Sequence, residues 1–129
     1  MESLNIEATA DTPAIDFRAE DGRLSVAGKS YPQNVFQFYK PISDWLNQFL
    51  QSSQVPAELH LSYIALNSST TKVIFDWLDS LEQAQEENPE RGVKVVWHYP
   101  PERSALLQAG EDFREAFEEL SFELVPDLK

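Results

Sequence analysis

The chain has 129 residues, of which 42% are hydrophobic and 12% aromatic, enough for one domain whose folding buries roughly two thirds of the surface of the unfolded chain. It contains no cysteine, which excludes disulfides, thiolate nucleophiles and cysteine-ligated zinc. Its formal net charge of -12, from 22 acidic against 10 basic residues, disfavours nucleic acid and anionic lipid and suits a protein partner with a basic face.

Met1-Glu2-Ser3-Leu4-Asn5-Ile6 lacks the basic and apolar regions of a signal peptide, and no apolar run approaches the roughly 20 residues that span a bilayer. The expectation is a cytoplasmic protein without membrane insertion, a single domain over residues 1–129 with residues 1–12 as a flexible arm. Ala14-Ile15-Asp16-Phe17 and Arg23-Leu24-Ser25-Val26-Ala27 alternate as strands around the turn signal Glu20-Asp21-Gly22, which predicts an antiparallel hairpin. From Asn34 a helical period takes over, with Val35, Phe38, Ile42, Trp45, Leu46, Phe49 and Leu50 on one stripe. Pro41 either kinks this helix or marks its first turn.

Residues 58–66 read as a strand with apolar positions on both faces towards its end, a central strand on which helices pack. Asn67-Ser68-Ser69-Thr70-Thr71 leads into a second helix, with Ile74, Trp77, Leu78 and Leu81 inward. Residues 93–99 form a further strand, ended by Pro100-Pro101. A third helix, capped by Ser104, directs Leu106, Leu107, Phe113 and Phe117 inward, and Phe122-Glu123-Leu124-Val125 closes the chain as an edge strand. This order predicts an α/β domain: an N-terminal antiparallel hairpin joined to a mostly parallel sheet of about five strands, with three main helices and right-handed crossovers.

The segment 66–72 joins the central strand to a helix N-terminus, at the carboxyl edge where open α/β sheets carry their functional loops. Four consecutive hydroxyl residues lie there. One of them can cap the helix by accepting a backbone N–H. One can equally accept a phosphate, whose charge of roughly -1.5 to -2 and acceptor oxygens suit the free amides of a helix start.

Thr12-Pro13-Ala14-Ile15, Gly22-Arg23-Leu24-Ser25, Ser30-Tyr31-Pro32, Asp44-Trp45, Leu66-Asn67-Ser68-Ser69, Trp97-His98-Tyr99 and Phe113-Arg114-Glu115 follow in the order and spacing of the SiaC family. The chain resembles that family, whose fold is akin to STAS-type anti-sigma factor antagonists, over nearly its whole length. The resemblance implies a non-enzymatic partner switch without a cofactor or metal. Its unphosphorylated form binds and activates a diguanylate cyclase in cyclic di-GMP and biofilm signalling. A serine/threonine kinase related to anti-sigma kinases modifies it, and a metal-dependent serine/threonine phosphatase reverses this. The family's acceptor threonine falls on Ser68; serine keeps the hydroxyl and loses the methyl, which leaves Ser69 and Thr70 as alternative acceptors. Asn67, Ser69, Thr70 and Lys72 would shape the docking loop, with Tyr31 and Pro32 as further contacts. A true anti-sigma factor antagonist would use the same loop.

His60 and His98 are the only imidazoles. A Ser68–His98 hydrolase can be written down, but no Gly-x-Ser-x-Gly elbow surrounds Ser68, so His98 reads as a structural or rim residue and His60 as a sheet-face one. Asp76, Asp79 and Glu82 read as a solvated helix face rather than a cation site.

Overall fold

The computed structural model describes residues 1–127. Alternating apolar side chains make strands because successive residues of an extended chain point to opposite faces. That pattern forms β2 (Ala14–Phe17) and β3 (Arg23–Ser30), paired antiparallel with Phe17 opposite Leu24. The turn between them depends on Gly22. Its φ is +71, and a Cβ there would lie 1.8 Å from the Pro56 carbonyl oxygen, so a side chain has neither the backbone conformation nor the space.

Strands β4 (Ala57–Leu66), β5 (Val93–Tyr99) and β6 (Ser121–Pro126) alternate with helices α1 (Val35–Ser52), α2 (Ser68–Glu87) and α3 (Ser104–Ala116). With β1 (Leu4–Ile6) they complete one six-stranded sheet in the order β1-β2-β3-β4-β5-β6, parallel from β3 to β6. Three right-handed crossovers stepping in the same direction place every helix on the same face. Leu59, Leu61, Tyr63, Val95 and Trp97 accordingly share one core with Ile42, Leu46, Phe49, Ile74, Leu78, Leu81 and Phe113. Helices therefore cover β4 on one face alone, and Ile64 on the other is 49% exposed. No helix among the described residues is long and apolar enough to cross a membrane.

Several local features differ from the sequence expectation. Leu4–Ile6, within the expected arm, pair antiparallel with β2 as a three-residue edge strand, and the Trp45 indole donates to the Glu2 carbonyl at 2.8 Å. Pro41 lies inside α1 rather than in its first turn, where the missing N–H removes one intrahelical bond on an exposed side of the helix. Ser104 is the first helical residue of α3, not its cap; Arg103 holds the cap position without a side-chain hydrogen bond.

Gly110 of α3 packs directly on the sheet: a Cβ there would meet Trp97 Cδ1 at 2.5 Å and Leu124 Cδ2 at 2.7 Å. The Trp97 ring cannot yield easily, because its Nε1 donates to the Leu106 carbonyl at 2.9 Å.

On the open sheet face, His60 Nε2 donates to Glu58 Oε1 at 2.7 Å. His60 Nδ1 faces His98 Nε2 at 2.9 Å. The ring planes are 20° apart with centroids at 5.2 Å, a distance nearly filled by the N···N contact, so the imidazoles meet edge to edge. One proton between the facing nitrogens makes a hydrogen bond; a proton on each would set N–H against N–H. Burial, and next the His60 charge, push His98 below the ordinary histidine value; Arg23 acts in the same sense, while Asp127 and Glu123 oppose it.

Two predictions follow from these contacts. Gly110→Ala should destabilise the fold by about 1 kcal/mol or more in urea unfolding, since overpacking of roughly 1–3 kcal/mol outweighs the better helix propensity of alanine; an unchanged or higher midpoint would contradict this packing. The depressed His98 means that the unfolded chain binds that proton more tightly, so stability should fall as pH drops from about 7.5 to 5.5, through the unfolded histidine value near 6.5. A His98→Asn variant should lose much of that slope, and equal slopes would contradict the pairing.

Candidate functional site

The carboxyl ends of β3 and β4 meet the start of α2. Asn67, the last residue before the helix, has extended backbone (φ -96, ψ 173) and caps it, its Oδ1 accepting from the Thr70 backbone N–H at 2.9 Å. The cap is thus the asparagine rather than one of the four hydroxyls. The Asn67 amide is itself tied to the end of β3, donating to the Ser30 carbonyl at 3.2 Å. Its own carbonyl accepts from the Thr71 N–H at 3.2 Å.

Ser68 and Ser69, the first two helical residues, are both exposed. Their backbone N–H groups precede the first intrahelical acceptor, so they remain as donors at the positive end of α2. Thr70, one residue further, is 0% exposed. Its hydroxyl donates to Asn67 Oδ1 at 2.8 Å and lies 2.7 Å from Ser30 Oγ. Ser30 Oγ in turn lies 2.6 Å from Tyr39 Oη, which is 3.3 Å from Tyr63 Oη. Burial raises both phenols above their ordinary value, so both remain protonated donors near neutral pH.

Two hollows flank this helix start. One, of about 490 Å³, lies between the end of β4 and the start of α3 and is bordered by Tyr31, Ile64, Thr71 and Arg103. The other, also about 490 Å³, lies between α1 and α2 and is bordered by Val35, Phe36, Ser69, Lys72, Val73 and Asp76. Tyr31 is 46% exposed and Phe36 69%. Pro32 borders a third depression with Asp11, Thr12 and Asn34. The expected site residues therefore divide. Ser68, Ser69, Lys72 and Tyr31 present accessible groups around the start of α2, whereas Asn67 and Thr70 are occupied holding it together.

Ser30, Tyr39, Tyr63 and Phe36 belong to this region without having been singled out by sequence as site residues. A stripe through Val35, Tyr39, Ile42, Leu46 and Phe49 would have found Tyr39, since these are the helix's inward positions; Phe36 falls off that stripe. Tyr63 shares the inward face of β4 with Leu59 and Leu61 by strand alternation, whereas Ser30 carries no such signal.

His98 lies on the open sheet face, bonded to His60; among the described residues no hydrogen bond joins it to Ser68. Asp79 accepts from Gln83 at 3.1 Å, and among the described residues no three His, Asp or Glu side chains are grouped to hold a metal ion.

Comparison with known proteins places these features in a lineage. The SiaC family, described as regulatory phosphoproteins, matches residues 6–127. An uncharacterized protein of Pseudomonas aeruginosa is 39% identical over 115 residues, which cover 89% of this chain and 90% of that protein. The crystal structure of apo-SiaC from Pseudomonas aeruginosa superposes with a TM-score of 0.89 at 38% identity, covering 97% of this chain and 99% of that one. The structure of the diguanylate cyclase SiaD in complex with its activator SiaC, from the same organism, matches with a TM-score of 0.88 at 36% identity, over 95% of this chain and 98% of the matched one. A match over nearly the whole chain in both sequence and fold shows that this protein belongs to the SiaC family of regulatory phosphoproteins.

Proposed function

We propose that this chain is a cytoplasmic, non-enzymatic partner switch whose unphosphorylated form binds and activates a diguanylate cyclase, and that phosphorylation of Ser68 releases the cyclase. The observation that carries this is an exposed serine hydroxyl at the first position of α2, in a family of regulatory phosphoproteins whose 36% identical relative is the activator in a solved cyclase complex. A serine/threonine kinase related to anti-sigma kinases installs the phosphate, and a metal-dependent phosphatase removes it.

The physical mechanism is local. A phosphate on Ser68 can accept from the free amides of the first turn, and Lys72, four residues on along the same helix side, can pair with it. The modified group thus stays ordered at the surface and presents its charge outward. Screening sets the range: at physiological ionic strength charges farther than about 8 Å are largely masked. The net charge of the chain therefore matters less than what a docked partner places directly over Ser68. A carboxylate or an apolar contact there would be expelled by a dianion.

Ser68 and Ser69 are both exposed to solvent, while the Thr70 hydroxyl is buried and doubly engaged, which favours the serines over the threonine. The docking surface in this proposal comprises Ser68, Ser69 and Lys72 with Tyr31 and Pro32 beside them, and Asn67 and Thr70 as its support.

Ser68→Ala should bind a diguanylate cyclase as the wild type does, whereas Ser68→Asp should weaken binding about tenfold or more in a calorimetric titration; equal binding by both variants would contradict the switch. Peptide mapping of the kinase-treated chain should place phosphate on Ser68, and phosphate found only outside residues 67–71 would overturn the site.

A further inference from the structure

Each buried hydroxyl beneath the start of α2 has one proton, and their order can be worked out. Asn67 Oδ1 accepts from the Thr70 backbone N–H at 2.9 Å, so it is the oxygen of the carboxamide and can only accept. Thr70 Oγ1, 2.8 Å from it, must donate; two acceptors at that distance would repel. With its proton committed, Thr70 accepts from Ser30 Oγ at 2.7 Å. Ser30 then accepts from Tyr39 Oη at 2.6 Å, and Tyr39 accepts from Tyr63 Oη at 3.3 Å. All the protons run one way, from the core to the cap.

The four donors come from β4, α1, β3 and α2, and none is more than 2% exposed. They run in series, and the last of them, Thr70, donates to the single oxygen that caps α2. The register of the first helical turn is thereby tied to three other elements, and that register decides what a visiting enzyme meets. Successive helical residues are rotated by about 100°. Ser69 borders the groove between α1 and α2, beside Val35, Phe36 and Val73, whereas Ser68 does not border it.

We propose that the hydroxyl chain Tyr63–Tyr39–Ser30–Thr70 selects the modified residue: Ser30, Tyr39 and Thr70 are positioning residues that present Ser68, and not its neighbour Ser69, to the kinase. This rests on the reading of Ser68 as the phosphoacceptor. When the chain is broken, the Asn67 cap opens more often, the first turn frays, the fixed rotation between the two exposed hydroxyls is lost, and Ser69 competes.

The test treats the protein with a serine/threonine kinase related to anti-sigma kinases and measures the ratio of phosphate on Ser68 to that on Ser69 by peptide mapping. It compares the wild type, Tyr39→Phe, Ser30→Ala, Thr70→Val, Thr70→Ser and a core variant, Leu78→Val, brought to equal stability by temperature. Amide hydrogen exchange at Thr70 is followed in parallel. The ratio should fall about tenfold in Tyr39→Phe, Ser30→Ala and Thr70→Val, with exchange faster by a similar factor, as for the loss of about one net hydrogen bond. Thr70→Ser, which keeps the hydroxyl, and Leu78→Val should both retain the wild-type ratio. Phosphate on Ser68 in the same ratio in every variant, or an equal fall in Leu78→Val, overturns the inference alone. Phosphate on neither serine of the wild type overturns the acceptor assignment, and the inference with it.

Discussion

One carboxamide oxygen holds the junction of β4 and α2 in place. Asn67 Oδ1 takes both the backbone N–H and the hydroxyl of Thr70, and so converts the end of the central strand into the start of a helix without an intervening loop. Removing a cap of this kind costs about 1 kcal/mol. Here the effect extends further, because the same oxygen ends a run of buried hydroxyls that reaches the centre of the sheet. A buried polar group is expensive when unpaired and strongly oriented when paired. The region thus has little freedom to adopt a second arrangement, and the two serines above it stand on a rigid base.

That rigidity gives the family's chemistry a physical form. A modification that acts by charge alone requires no refolding of the domain; it requires a fixed place for the charge and a partner whose docked surface covers that place. The one-sided architecture suits this. With all three helices on one face, the carboxyl edge of the parallel strands presents the helix starts and their connections to solvent, and the core beneath is closed by Tyr39, Trp77 and Tyr63, none more than 2% exposed. The open face carries an independent polar cluster, Glu58–His60–His98, which is separate from the helix starts.

Much of this was legible in the sequence. The hairpin, the three helices and the parallel strands follow from periodicity, and the candidate site is marked by hydroxyl residues placed between an apolar strand and an amphipathic helix. The failures have physical causes. Strand β1 is three residues long, too short to show alternation, and its partner in β2 supplies what its own sequence lacks. The capping role went to Asn67, a residue type as favourable there as serine and better than threonine, whose Oδ1 accepts from the third amide while the Thr70 side chain is buried. Ser30, Tyr39, Tyr63 and Thr70 are connected only in three dimensions: Ser30 and Thr70 are 40 positions apart, and no spacing rule links them. Apolar Ile64 and Leu66 predict helices packed on β4 but do not record on which side successive crossovers fall, and Ile64 is left half exposed.

The most direct test of the account is a calorimetric titration of a diguanylate cyclase with two forms of the protein, unmodified and carrying phosphoserine at position 68 in full occupancy, alongside cyclic di-GMP production in the same mixtures. Binding and stimulation by the unmodified form, with both lost in the phosphorylated form while its fold is unchanged, is the result predicted. Equal affinity and equal stimulation by the two forms would contradict it.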